Sequence, residues 1–240
     1  MIASIDHIVI LVDDLAQAGA TYAALGFTVS PGGEHIGGAT HNLLVSFADG
    51  TYLELLAFKR TMPEHRWSRH VVGGPGLIDF ALLPTTIEAD IVAARQRNLA
   101  ISDPLAGGRL RPDGVQLEWQ SATAEAAELP FLCGDVTPRE LRVPGGAATQ
   151  HANGVAGIAE LVVSVNDLVA SVGRYEALLG SPPSSAENVA HFRLGESQIA
   201  LHSPGSAERV ARRGPGISAL RFIGGSIGGI SWEGQLIERM

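Results

Sequence analysis

The sequence predicts an α+β protein assembled from tandem βαβββ units, and three observations carry that prediction. Short β-branched runs alternate with stretches whose apolar residues recur at helical spacing. A segment near the start, Ser4-Ile-Asp-His-Ile-Val-Ile-Leu-Val-Asp-Asp-Leu15, recurs without a gap as Gly157-Ile-Ala-Glu-Leu-Val-Val-Ser-Val-Asn-Asp-Leu168. A Gly-Pro-Gly turn opens an apolar strand twice, at Gly74 and at Gly214.

Ile5 to Val12 reads as the first strand. Asp13 or Asp14 is the N-cap of the helix that follows, because a carboxylate there accepts from a free backbone N–H of the first turn. Leu15, Ala18, Tyr22 and Leu25 then share one helical face until Gly26. Phe27 to Val29 is expected to be a short strand leading into a glycine-rich stretch, Pro31 to Gly38. Two further strands, His41 to Phe47 and Thr51 to Phe58, are joined at the turn signal Asp49-Gly50.

The second unit opens with the strand ending at Leu83 and passes through a capping box, Thr85-Thr-Ile-Glu88, into a helix to about Leu99. Strands near Val115 to Gln120 and Leu129 to Cys133 complete it. The third unit repeats the first at an offset of 153, with Tyr22, Ala24 and Leu25 falling on Tyr175, Ala177 and Leu178. Its later strands are Val189 to Leu194 and Gln198 to His202. After Ile223 only 17 residues remain, so the fourth unit is truncated. Thr137 to Asn153 contains Pro138, Pro144, Gly145 and Gly146 and lacks periodicity, which reads as a linker. The expected organisation is a first domain over 1–136 with units at 1–60 and 74–136, a linker over 137–153, and a degenerate second half over 154–240.

Composition excludes several classes. At 240 residues, 45% hydrophobic and 18% charged, the chain buries a substantial core and is not disordered. No stretch approaches the roughly eighteen apolar residues of a membrane helix. Seventeen Lys and Arg against 25 Asp and Glu give a net charge of −8, the wrong sign for neutralising a phosphate backbone. Cys133, the single cysteine, cannot form an internal disulfide and reads as a small buried hydrophobe. The start of the chain lacks a cationic signal region, so the expected location is cytoplasmic. Gly32-Gly33 and Gly73-Gly74 are followed by no Lys-Ser or Lys-Thr, and there is no Gly-x-Ser-x-Gly, which argues against nucleotide-loop and serine-hydrolase readings.

The ordered motifs Ile5-Asp-His-Ile-Val-Ile-Leu-Val-Asp-Asp-Leu15, Leu25-Gly-Phe27, Gly33-Glu-His35, Ala39-Thr-His-Asn42 and Asp49-Gly-Thr-Tyr-Leu-Glu-Leu-Leu56, with Leu129-Pro-Phe131 and His151-Ala-Asn-Gly154 later, resemble the glyoxalase-like branch of the vicinal oxygen chelate superfamily. That superfamily includes glyoxalase I, extradiol dioxygenases and bleomycin-resistance proteins. The resemblance spans essentially the whole chain. It implies that paired units form a cup-shaped mixed sheet with helices outside and a metal or ligand within, and it does not imply one reaction.

Carried over by position, the resemblance gives His7 and Glu54 as ligands of a divalent ion (Zn, Mn, Fe or Ni). Strand alternation supports Glu54, because Tyr52, Glu54 and Leu56 share a face and a carboxylate facing inward needs a partner. The other reading is that Asp6 and His7 cap a strand start while Glu54 pairs with an arginine. Asp79, in the apolar run Leu77 to Leu83, is a third candidate ligand or else a hydrogen-bonded acid that holds a neighbouring strand. His41 is the candidate acid or base beside Glu54, and His35, His41 and Asn42 are candidate substrate contacts. The polar stretch Lys59 to His70, with Arg66 and Trp67, could close over the cup or serve as a solvated connection. His151, His191 and His202 show no convergent acidic partner.

In the second half Glu160 takes the place of His7, Ala200 that of Glu54 and Ala219 that of Asp79, so that half is expected to be structural or a dimerisation surface. Two functions follow. The first is a divalent-metal-dependent lyase, isomerase or dioxygenase acting on a small molecule with vicinal oxygens. The alternative is a metal-free binding or sequestering protein of the bleomycin-resistance type, against which the 5% aromatic content argues. The expected partners are a small molecule and a second copy of the chain, with no nucleic acid and no membrane.

Overall fold

A computed structural model describes residues 2–203, 214–225, 231–232 and 235–238. The first unit comprises β1 (Ile2–Leu11), α1 (Leu15–Ala24), β2 (Ser30–His35), β3 (Thr40–Ser46) and β4 (Tyr52–Phe58). After a short α2 (Ser68–Val71), the second unit supplies β5 (Gly76–Pro84), α3 (Ile87–Gln96), β6 (Leu105–Leu110), β7 (Gln116–Ala122) and β8 (Phe131–Asp135). A connection with α4 (Arg139–Arg142) and a 3-10 turn at Gly146–Thr149 leads to β9 (Val155–Ser164), α5 (Leu168–Leu179), β10 (Ser184–Ala186), β11 (Val189–Leu194) and β12 (Ser197–His202). The last described strands are β13 (Gly216–Gly224), β14 (Ser231–Trp232) and β15 (Gln235–Glu238).

The first eight strands close into a barrel of order β1-β4-β3-β2-β6-β7-β8-β5. Within each unit the first and last strands pair in parallel, β1 with β4 and β5 with β8, and the two units meet antiparallel at β1–β5 and at β2–β6. The later strands form a seven-stranded sheet of order β10-β11-β12-β9-β13-β15-β14. One apolar core joins the outer face of the barrel, the helices and this sheet, running from Ile8, Ile10, Tyr22 and Phe47 to Ile158, Leu161, Tyr175 and Phe222. Phe27 and Phe47 meet His151 edge-on and pack in turn on Phe222, while the His151 ring bonds the Ser46 carbonyl and accepts from the Thr28 N–H at 3.0 Å each. His151 is therefore a joint between the halves.

The repeat extends to the caps. Asp14 accepts from the Gln17 N–H at 2.8 Å and Asp167 from the Ala170 N–H at 3.0 Å, each fixing a helix start after its first strand. The capping box expected at α3 is not formed. Thr86 occupies the N-cap without a side-chain bond, and Asp90 instead accepts from the Thr85 N–H at 3.1 Å.

Two strand assignments change. The second strand of the first unit lies at Ser30–His35, inside the glycine-rich stretch rather than at Phe27 to Val29. Gly32 is required there, since a Cβ would fall 1.9 Å from Asn42 Oδ1. In the second unit β6 (Leu105–Leu110) was not expected at all. Its run Leu-Ala-Gly-Gly-Arg-Leu has no alternation, yet it pairs with β7 across the turn signal Pro112-Asp113-Gly114 and with β2 to close the barrel.

Candidate active site

A register shift on β1 between Ile5 and His7 leaves Asp6 as the extra residue opposite β5. Such a bulge breaks the alternation that would send neighbours to opposite faces, so Asp6 and His7 touch. His7 Nδ1 lies 2.7 Å from Asp6 Oδ2. Asp6 is wholly buried and surrounded by cations: Arg142 reaches both its oxygens at 2.9 and 3.1 Å, and Arg139 reaches Oδ1 at 2.5 Å. Burial alone would raise its pKa, but Arg142, His7 and Arg139 outweigh that and hold the carboxyl well below its usual range. The connection taken as a linker thus supplies part of the site's foundation. Arg142, itself buried, also bonds Tyr52 Oη at 2.7 Å and pairs with Asp135.

The barrel interior is a cavity of about 270 Å³. His7, stacked on Tyr52 with ring centroids 4.7 Å apart, presents Nε2 at 3.5 Å from Glu54 Oε2. His35 Nδ1 lies 2.9 Å from Thr40 Oγ1, and its Nε2 lies 3.3 Å from Glu54 Oε1. Asn42 Nδ2 donates to Glu54 Oε1 at 2.6 Å. Burial pushes the Glu54 pKa up, but the bond and charge of His35, the charge of His7 and the Asn42 amide bring it down to about 2, so Glu54 is a carboxylate. His7, Glu54, His35 and Asn42 stand together on β1, β4, β2 and β3.

Two expected site residues stand elsewhere. Asp79 shares the inner face but lies level with Val9, while Ala81 faces His7. Its Oδ2 accepts from Arg66 Nη2 and Trp67 Nε1 at 2.8 Å each, and Asp79 is absent from the lining of the His7–Glu54 cavity. Its carboxylate ties the 59–73 connection to β5, with the Phe80 N–H donating to its other oxygen at 2.9 Å. His41 also faces away, because Thr40 and Asn42 line the cavity and alternation turns the residue between them outward, toward Glu34 and Lys59. It is not placed to move a proton inside the cup.

The 59–73 connection covers the cavity, which Met62, His65, Arg66 and Trp67 help to line. The low aromatic content misleads here, because Tyr52, Trp67, Trp119 and Phe131 concentrate around this space. Arg66 lies over the Phe131 ring at 4.3 Å. Sequence reasoning missed Arg109 on β6, whose partner in the β2–β6 ladder is His35. The turn signal at 112–114 was the clue to its strand.

Three donors on rigid strands suit a divalent transition ion. His7 and His35 each have Nδ1 occupied by an oxygen partner, which leaves Nε2 toward an ionised carboxylate, and two imidazoles with one carboxylate are a common set for such ions. Among the described residues, the group of three whose ligand atoms all lie within 4.8 Å of one another is Asp6, His7 and Cys133, so His7, Glu54 and His35 would have to draw together around an ion. The group with Asp6 and Cys133 is the poorer set, because Asp6 is committed to two arginines and burial pushes the Cys133 thiol up to about 12, keeping it protonated.

The second half repeats the plan without the site. Glu160, level with His7 in the repeat, pairs with Arg221 at 2.9 Å and accepts from Gln198 at 2.6 Å. His191 Nδ1 is 3.6 Å from it, so the acidic partner that the sequence did not reveal for His191 is Glu160.

A closed cup of two βαβββ units, with His7 on its first strand and Glu54 on its fourth, defines a protein of the vicinal oxygen chelate fold. The glyoxalase-like domain family model matches residues 5–179, and the chain belongs to that family. Similar solved structures include a hypothetical protein from Staphylococcus aureus, 14% identical over 98% of this chain and 99% of that one, with a TM-score of 0.78. A mutant 4-hydroxymandelate synthase from Streptomyces coelicolor is 16% identical over 92% of this chain and 71% of its own, with a TM-score of 0.65. A xylose isomerase-like TIM barrel/4-hydroxyphenylpyruvate dioxygenase fusion protein is 15% identical over 92% and 36%, at a TM-score of 0.58. No curated protein matches the chain. No helix among the described residues is long and apolar enough to cross a membrane.

Proposed function

We propose that the protein is a divalent-metal-dependent enzyme of the lyase, isomerase or dioxygenase type, acting in the barrel cavity on a small substrate with vicinal oxygens. The observation that carries this reading is Glu54, a fully enclosed carboxylate flanked at 3.5 and 3.3 Å by the Nε2 atoms of His7 and His35. His7, Glu54 and His35 would hold the ion. The chemistry it supplies when bound is Lewis-acid polarisation of two adjacent oxygens.

The chain's own residues do the remainder. Asp6, locked by Arg142 and Arg139, fixes the rotamer of His7, and Thr40 does the same for His35. Trp67, tied to Asp79, holds the 59–73 connection over the cavity. Burial lowers the pKa of His65, whose Nδ1 accepts from the Trp67 N–H at 3.3 Å.

Calorimetric titration of chelator-treated protein with Zn²⁺ or Mn²⁺ tests the reading. The expected result is about one site per chain, weakened at least tenfold in Glu54→Gln and in His7→Ala with the circular dichroism unchanged. Absence of uptake by the wild type would leave the metal-free binding protein as the reading of this cavity.

A further inference from the structure

The cavity contains a buried cation, Arg109, that has no ion pair of its own among the described residues, although Glu54 stands beyond Asn42. Arg109 is 3% exposed and lines the same space as Glu54. Its Nη2 donates to the Arg142 carbonyl at 3.0 Å and its Nη1 makes a long contact of 3.4 Å with Asn42 Oδ1. Nε has no partner, so three of the five N–H bonds of the guanidinium lack an acceptor. No carboxylate among the described residues lies within salt-bridge distance of it. Arg142, equally buried, has Asp6 and Asp135. A guanidinium stays charged in a protein, and enclosing such a charge without a partner is strongly unfavourable.

Asn42 ties this cation to the proposed reaction centre. Its amide nitrogen donates to Glu54 and its amide oxygen faces Arg109, so one side chain bridges the carboxylate and the guanidinium. Whatever neutralises Arg109 from the cavity sits near Glu54, in a space that Trp119 and Phe131 also line.

We propose that Arg109 is a specificity residue that receives the carboxylate of the substrate, and that the substrate is a small monocarboxylic acid anion with an apolar body. This inference rests on the reading of the barrel cavity as the substrate site. One free guanidinium matches one negative charge. A phosphate dianion is the poorer match, because the neighbouring cations Arg142, Arg66 and Arg111 already hold Asp6, Asp79 and Asp113.

The test is a ligand-observed NMR screen of small carboxylic acids, each paired with its primary amide and supplemented with inorganic phosphate, against chelator-treated protein. Removing metal ensures that a preference for acids cannot come from chelation, so the result is independent of whether the metal reading holds. Acids are expected to bind at least tenfold more tightly than their amides in the wild type. That preference is expected to vanish in Arg109→Met and to survive in part in Arg109→Lys. The melting temperature of ligand-free Arg109→Met should equal or exceed that of the wild type, because an unpaired buried charge has been removed, whereas a purely structural arginine would lower it. Equal binding of acids and amides by the wild type, a preference for phosphate, or an unchanged preference for acids in a folded Arg109→Met would overturn the proposal.

Discussion

At the bulge of β1 the chain places Asp6 beside His7, and at the matching bulge of β9 it places Ala159 beside Glu160. In the first half the residue facing His7 is Ala81; in the second, the residue facing Glu160 is Arg221, which fills that space with a salt bridge at 2.9 Å. The backbone device is the same, and the side chains decide whether it builds a cavity or a structural pair. In the first half two arginines from the connection hold the bulge acid and leave His7 free toward the interior. In the second half the acid takes its own cation.

The largest expected difference lies in those cations. Arg142→Ala removes the main partner of a wholly buried carboxylate and is expected to cost about 3–5 kcal/mol in urea unfolding. Arg221 is 37% exposed and Glu160, though buried, keeps the Gln198 bond and His191 beside it, so Arg221→Ala is expected to cost less, about 1–2 kcal/mol. Equal losses would break the comparison.

A smaller effect is expected in acid. The Glu54 pKa falls from its usual 4.5 to about 2 in the folded protein, so its contribution to stability is complete above pH 4.5 and is lost as the pH falls toward 2. Asp6 acts in the same direction. Unfolding measured from pH 5 to pH 2 is expected to show a shallower loss for Glu54→Gln than for the wild type. Parallel curves would mean that the His7–Glu54–His35 cluster is not coupled as described.

The repeat made the two halves and the Asp caps of α1 and α5 legible, because β-branched runs and Asp caps are local signals, whereas His7 and Glu54 were pointed to by the resemblance to the family. What could not be read depended on contacts distant in sequence. Asp79 is on the face its position suggested, but Arg66 and Trp67 fold over it from the 59–73 connection. His41 fell on the wrong face because strand parity is set by Asn42 and Thr40, which line the cavity. The Pro- and Gly-containing stretch after β8 looked like a plain linker, yet Arg142 within it is 2% exposed and bonds Asp6, 136 positions away. Arg109 was hidden because two glycines precede it in β6, where a Cβ on Gly107 would lie 2.4 Å from Trp119 Nε1. Gly107 admits the tryptophan, Gly108 admits Ile36 and the Leu117 carbonyl, and together they erase the alternation that would have marked the strand.

The most direct test of the central claim is metal content by plasma mass spectrometry after loading with Zn²⁺ or Mn²⁺ and desalting, in the wild type, Glu54→Gln and Glu160→Gln. The account predicts near-stoichiometric metal in the wild type and in Glu160→Gln and its loss in Glu54→Gln. Metal retained in Glu54→Gln, or lost only in Glu160→Gln, would contradict it.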